Sequence, residues 1–368
     1  MKTSDILWYN TATGETQVWY MDGHRLVDRG IAKRLDDQPI HIGLPFRIAG
    51  VADMNKDGAA DIVWHNGSTG ETQIWFMDGH RLIDRATVRW PDGSPALAGP
   101  PFRIVGCGDM DADGRPDIVW YNDATGETQV WYMDGDELAG RGTVLGHDGN
   151  PAYIGPPFAI VGVADMDGDR HADIVWYNSL TGETQVWYMD GHQLAGRGTV
   201  LGLDGQPAYI GPPFRIVGVG DMNGDGKADI VWYNDATGET QIWYMDGHQL
   251  VDRGTVLGLD GNPAYIGPPY RIVGIGDFRP RVCPIKHVFV LMLENRSFDH
   301  MLGFSGIEGT DATTWYPTKI DGLTGSESNS FDGRTYKVVR GADDVMPTGP
   351  AHSFKAVLEQ LCGPSAAY

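Results

Sequence analysis

A period of 56 residues runs through residues 1–279 and limits what the chain can fold into more than any other feature. The segment DI(V/L)W begins at Asp5, Asp61, Asp117, Asp173 and Asp229, and a second Asp recurs in the same step at Asp53, Asp109, Asp165, Asp221 and Asp277. Such self-similarity marks a repeat architecture, in which each copy is one supersecondary unit. The last full copy reads as FRIVGVGDM, ADIVWYN, ETQIWYMDG and QLVDRGTVLG. These segments are rich in Val, Ile, Trp and Tyr and are separated by NGDGK, NDATG and MDGH turns, the signature of short strands. The Pro- and Gly-rich LDGNPAYIGPP suits a crossing to the next unit. No copy holds an uninterrupted helical period, which disfavours helical solenoids. Four strands per repeat describe a β-propeller blade.

The two ends of the repeated region complement each other. The chain starts on the second strand of a unit, DILWYN, and the repeats stop on a first strand, YRIVGIGDF. Side by side, the two ends complete one blade and leave no open edge strand to pair with other chains. The expectation is an all-β, five-bladed propeller of 56-residue four-stranded repeats, closed by strands from both ends. The alternative is an open arc that completes its ring by dimerising.

Composition agrees with this reading. The 51 Gly and 22 Pro point to many tight turns, and a 41% hydrophobic fraction is enough for a core. No apolar run approaches the ~20 residues of a membrane-spanning helix. The opening MKTSDILWYN is already mid-repeat and reads as neither a signal nor a transit peptide. A formal charge of −21 argues against nucleic acid as a partner. Cys107 stands where other copies have Val51, Val163, Val219 and Ile275, so it reads as a small core residue. Pairing of Cys283 with Cys362 is left open.

Much of the charge is gathered in four loops of the form D-x-[DN]-x-D-[GR]-x-x-D, which together hold 14 Asp. Their oxygen donors are Asp53, Asn55, Asp57 and Asp61; Asp109, Asp111, Asp113 and Asp117; Asp165, Asp167, Asp169 and Asp173; and Asp221, Asn223, Asp225 and Asp229. Donors at positions 1, 3, 5 and 9 of a loop suit a hard cation of flexible coordination, Ca²⁺ more readily than Mg²⁺. Carboxylates massed this closely repel one another without a cation. The expectation is about four calcium sites. The EF-hand is excluded, because the Glu at position 12 is missing and a strand follows the loop. Arg170 occupies the sixth position, where the other loops have Gly, and marks a strained or weaker site. The fifth Asp, Asp277, is followed by Phe-Arg-Pro-Arg, with no acidic loop.

This pattern resembles the FG-GAP/VCBS repeats of integrin-type β-propellers over residues 1–279. The resemblance implies calcium between the first two strands of a blade, chiefly structural, on a module that binds proteins or, in some fungal and bacterial lectins, sugars. Each copy also repeats a Trp pair, Trp8/Trp19 through Trp232/Trp243. These pairs read as packing between blades rather than as sugar platforms, because they lie inside strands. The NDATGET turn and the MDGH bend are the better contact candidates.

After RPRVCP the composition changes. HVFVLML is a continuous apolar run, as in a strand covered on both faces of an α/β sheet. ENRSFDHMLG follows, with SFDHML opening a helix. PIKHVFVLMLENRSFDHMLG resembles the opening motif of the phosphoesterase family of bacterial phospholipases C and acid phosphatases. The resemblance maps that family's metal-binding Glu-Asn pair onto Glu294 and Asn295. It also maps an active-site His near the phosphate onto His352 of PAHSFKAVLEQL, and implies a divalent metal in the complete domain. The family's nucleophile and paired Asp ligands come later, so two metal ligands and one His do not assemble the site, and negligible turnover is expected of this chain. The division is residues 1–279 propeller, 280–285 linker and 286–368 an incomplete α/β phosphoesterase-like segment. The expected function is a calcium-binding targeting module on a metal-dependent phosphoesterase, the alternative a calcium-dependent lectin or adhesion propeller with a non-catalytic tail. The expected partner is a cell-surface glycan, protein or phospholipid, on a secreted or cell-surface protein, since loops of this kind suit extracellular calcium.

Overall fold

The computed structural model describes residues 3–279, 308–310, 317–319, 326, 328–331 and 334–337. Three strands come first, β1 (Asp5–Asn10), β2 (Thr16–Asp22) and β3 (Arg25–Ile31). The first full blade is β4 (Phe46–Ala52), β5 (Asp61–Asn66), β6 (Thr72–Asp78) and β7 (Arg81–Thr87). The second is β8 (Phe102–Gly108), β9 (Asp117–Asn122), β10 (Thr128–Asp134) and β11 (Glu137–Thr143). The third is β12 (Phe158–Ala164), β13 (Asp173–Asn178), β14 (Thr184–Asp190) and β15 (Gln193–Thr199). The fourth is β16 (Phe214–Gly220), β17 (Asp229–Asn234), β18 (Thr240–Asp246) and β19 (Gln249–Thr255), and β20 (Tyr270–Gly276) follows it.

Strand β20 pairs antiparallel with β1, from Asp5 opposite Gly276 to Asn10 opposite Tyr270, in a sheet ordered β20-β1-β2-β3. The composite blade is therefore built from both ends of the repeated region. The innermost strands contact one another in the cyclic order β20, β4, β8, β12, β16 and back to β20. The ring closes on itself within one chain as a five-bladed propeller, and the dimer-completed arc is not needed.

The apolar DIVW runs follow from position. Each second strand lies inside its blade, and each blade is sandwiched between two others, so both faces are buried. In the third full blade, Val175 and Val186 join Ile230, Trp232 and Trp243 of the fourth. On its other face, Ile174, Trp176 and Trp187 join Val119 and Val130 of the second. The ten repeated Trp are at most 5% exposed, so they are core and none is available to a sugar. The rings of a pair lie about 5 Å apart, as Trp176 and Trp187 do at 5.4 Å, a favourable tilted contact.

A ring of glycines sets how closely the blades approach the axis. An added Cβ at Gly50, Gly106, Gly162, Gly218 or Gly274 would lie within 2.7 Å of Cys107, Val163, Val219, Ile275 or Val51 of the next blade, respectively. Each glycine is thus the socket for its neighbour's side chain, and the inner strand bulges at this point. Cys107 is buried as expected, and burial pushes its thiol up to about 12.

The chain divides into two compact units, Met1–Pro284 and Ile285–Tyr368. The described part of the second includes two antiparallel strand pairs, Glu308–Thr310 with Pro317–Lys319 and Ser328–Phe331 with Arg334–Lys337. The expected helix over SFDHML lies outside the described residues, as do the 280–285 linker, Cys283 and Cys362. Among the described residues no helix is long and apolar enough to cross a membrane.

Candidate metal centres on the propeller

Each acidic loop joins the first two strands of a full blade, and its carboxylates are held by its own backbone. Asp53 accepts the N–H of Asp57 and of Gly58, at 2.8 and 2.7 Å. Asp221 accepts those of Gly224 and Gly226. The third and fifth positions form Asx turns, as where Asn55 accepts from Asp57 and Asp57 from Ala59. The side chains are therefore oriented before any cation arrives. In the second loop, oxygens of Asp109, Asp111 and Asp117 lie within 4.8 Å of one another, and in the third loop so do those of Asp165, Asp167 and Asp173.

The second loop fits a cation best. Asp109 Oδ1 is buried and receives no hydrogen bond from the described residues, while its Oδ2 accepts from Gly114 at 2.7 Å. A buried, donorless carboxylate oxygen beside two further carboxylates is costly unless a cation compensates it. Asp109, Asp165 and Asp221 are all held above the usual carboxylate range by burial. Calcium, once bound, would supply the missing positive charge; the atoms offered are all oxygens, as that ion requires.

The ninth position has a second role that its spacing does not announce. Asp61 accepts the Met54 N–H through Oδ2 and the Met77 N–H through Oδ1, both at 2.9 Å. Asp117, Asp173 and Asp229 do the same with Met110 and Met133, Met166 and Met189, and Met222 and Met245. Each carboxylate ties the loop to the third strand of its blade. Asp5 makes the same pair of bonds, to Met21 and Phe278, in the composite blade, which has no acidic loop. The clamp is therefore independent of any metal. The signal for it was Asp5 itself, an Asp kept in register without its loop.

In the composite blade Phe278 fills the core site that Met54, Met110, Met166 and Met222 fill elsewhere, all at most 1% exposed. Arg279 then hydrogen-bonds the Met21 carbonyl and brings its guanidinium to 3.9 Å from Asp5. A side-chain cation thus stands by the clamp where the other blades carry their loops.

The expected strain at Arg170 is present. Its φ is +81°, against +93°, +80° and +89° for Gly58, Gly114 and Gly226 at the same position. A left-handed conformation costs an L-residue about 1–2 kcal/mol. Arg170→Gly is expected to stabilise the propeller by about 1 kcal/mol, or roughly 2–4 °C in Tm. An unchanged or lower Tm in a thermal melt would contradict this.

The loops also touch across blades. The N–H of Ala172, Ala228, Ser4 and Ala60 donates to the backbone carbonyl of Asp109, Asp165, Asp221 and Asp277, at 2.6–2.7 Å. Pro116 stands at the matching place in the second full blade and has no N–H to give. Glu294, Asn295 and His352 lie outside the described residues.

Comparison with known proteins agrees with the two-part organisation. Residues 109–176 and 165–232 match the FG-GAP-like repeat, and residues 285–366 match the Phosphoesterase family. The chain is 42% identical over 84 residues to non-specific phospholipase C1 of Arabidopsis thaliana, covering 22% of this chain and 14% of that protein. It is 42% identical over 81 residues to non-specific phospholipase C6 of the same plant, again covering 22% and 14%. The match thus spans about 14% of the length of these curated relatives. Among solved structures, a nidogen/laminin complex chain aligns at TM-score 0.40 and 13% identity, over 75% of this chain and 99% of that one. An Agrocybe aegerita structure described as recognising non-reducing terminal N-acetylglucosamine aligns at TM-score 0.36 and 16% identity, over 70% and 80%. Neither likeness bears on this chain's ligand. The chain carries FG-GAP-like repeats within a five-bladed propeller, followed by a phosphoesterase-family segment similar to non-specific phospholipase C.

Proposed function

We propose that the propeller is a calcium-stabilised binding module that holds a phosphoesterase unit against its substrate, on an exported protein. The observation that carries this reading is the phosphoesterase match beginning at residue 285, directly after the closed ring. In the complete phosphoesterase domain, Glu294 and Asn295 would hold a divalent metal and His352 would stand near the phosphate. The metal, when bound, neutralises charge on the phosphate oxygens. The reaction class is hydrolysis of phosphate esters, phospholipid headgroups among them. These 368 residues are expected to give no turnover with p-nitrophenyl phosphorylcholine and added divalent metals. Robust metal-dependent turnover by the purified chain would overturn that expectation.

The calcium half of the reading is tested by melting. A cation at 100 times its Kd adds about 2.7 kcal/mol per site, so chelating several sites should lower Tm by on the order of 10 °C. An unchanged Tm in chelator would sink the assignment. The pH dependence has a definite sign. Burial raises Asp61 and Asp173 to about 8, and Asp5, Asp117 and Asp229 to about 7, from 3.8. For a raised carboxylate, the favourable contribution belongs to the protonated form. It is complete below the unfolded pKa and is lost as pH climbs through the folded one. In chelator the propeller is therefore expected to melt higher at pH 5.5 than at pH 8.5. Calcium should shrink the difference in the four loops.

A second reading, a calcium-dependent lectin or adhesion module, is favoured by one observation. Tyr153, Tyr209 and Tyr265 occupy the same register in three blades and are 60%, 58% and 60% exposed. Exposed aromatic faces in repeated copies suit stacking on sugars with avidity. Glycan-array binding that is lost when all three become Ala would favour this reading, and the absence of any glycan signal would dismiss it.

A further inference from the structure

The interface between the first and second full blades breaks the repeat. At the other four interfaces a Tyr hydroxyl meets a His ring across the blades, as Tyr132 does with His192 at 2.8 Å. Here Phe76 and Asp136 stand in those places. Tyr9, Tyr121, Tyr177 and Tyr233 donate to the carbonyls of Ile42, Ile154, Ile210 and Ile266, at 2.6–2.7 Å. In the first full blade the corresponding residues are His65 and Ala98, both smaller. His65 turns instead to Thr72 Oγ1, at 3.1 Å.

The change leaves an arginine unmatched. Arg103 and Arg215 lie 5.2 Å over the rings of Tyr121 and Tyr233, and bond Asp123 and Asp235 at 3.0 Å. Arg47 occupies the same position, but His65 stands where those rings stand, and Gly67 stands at the place of Asp123 and Asp235, which Thr11 and Ser179 fill in the remaining copies. Among the described residues, Arg47 has neither a carboxylate nor an aromatic partner. A pocket of about 620 Å³ opens at this place. Pro45, Pro101 and Phe102 give it an apolar wall, and Arg47, His65 and Ser68 give it polar groups. Burial lowers the pKa of His65, so the imidazole is neutral at pH 7 and the free charge in the pocket is that of Arg47. Asp123 also borders the pocket but is engaged by Arg103. The site lies at the end of the strands away from the acidic loops, since Arg47 is the second residue of β4 and the loop at residues 53–61 follows its end.

We propose that this pocket binds a small organic anion, its phosphate or carboxylate head on the Arg47 guanidinium and its apolar body against Pro45, Pro101 and Phe102. A guanidinium presents a planar fork that matches either head in bidentate fashion. A pocket with an apolar wall and few convergent polar groups is the usual form of a small-ligand site. The proposal depends on neither calcium nor the phosphoesterase segment.

The test titrates the full chain with phenyl phosphate, benzoate and neutral phenol by calorimetry. Phenyl phosphate or benzoate should bind saturably at one site, and phenol should not; the tighter of the two anions identifies the preferred head. Arg47→Gln should weaken binding at least about tenfold. Gly67→Asp should do the same by restoring the carboxylate found at Asp123 and Asp235, and a Cβ at Gly67 meets nothing within 4 Å, so the variant should fold. Arg215→Gln, the matching change in the fourth full blade, should leave binding unchanged. Absence of saturable binding for both anions, or binding that survives both Arg47→Gln and Gly67→Asp, overturns the proposal.

Discussion

Replacing Asp5 with alanine is expected to destabilise the propeller by about 2–6 kcal/mol, although no acidic loop stands beside it. The carboxylate is fully buried and satisfies two backbone donors, Met21 N–H at 2.8 Å and Phe278 N–H at 2.9 Å. Each buried donor left without a partner costs about 1–3 kcal/mol. Removing the carboxylate also removes its own desolvation, which places the loss toward the lower end above pH 7, where the group is charged. The substitution separates clamp from metal. In chelator, Asp5→Ala and Asp117→Ala should cost similar amounts in urea denaturation. In calcium, Asp117→Ala should cost more, because a proposed ligand goes with the clamp. A loss under 1 kcal/mol for Asp5→Ala would mean that water replaces the carboxylate and that the clamp reading is wrong.

The second large effect is expected at the glycine ring. Gly162→Val would place a Cβ at 2.5 Å from Val219 Cγ2 and add two further methyl groups to a contact with no space for the first. Overpacking of this kind typically costs about 1–3 kcal/mol per site. Here the intruding atom is fixed to backbone, so a loss at or above the top of that range is expected. Gly155→Ala is the control, since a Cβ there meets nothing within 4 Å. Pairing Gly162→Ala with Val219→Ala should recover part of what Gly162→Ala alone loses, a coupling that a double-mutant cycle reads directly. Additive losses would show that the two side chains do not share a socket.

The fold was legible in the sequence because each half of the composite blade carries its own register marks. Asp5 stands 56 residues before Asp61, and Asp277 stands 56 after Asp221, so the two ends declare themselves as complementary parts of one unit. The Trp pairs were legible for a similar reason: a large aromatic on both middle strands of every copy has room only between blades. The ninth loop position was less so. Spacing alone reads Asp61 as a cation ligand, and nothing in spacing shows that the Met77 N–H arrives at it from another strand. The glycine sockets were also hidden, because Gly106 and Val163 come together through blade packing and not through any local pattern. The open pocket could have been found by reading the copies against each other at two positions, where His65 and Ala98 replace the Tyr and Ile of the other four.

Both ends of the repeated region share one blade of a single closed ring. Tyr9 and Arg271 are direct partners across β1 and β20. Antiparallel partners have Cα atoms about 4.5–5.5 Å apart, inside the range of about 4.4–6.8 Å that a disulfide spans. Tyr9→Cys with Arg271→Cys, made with Cys283 and Cys362 changed to Ser, should cross-link within the monomer under mild oxidation. The product should run as one chain on a non-reducing gel and melt higher than its reduced form. Cross-links found only between chains, or none at all, would contradict a ring closed by its own two ends.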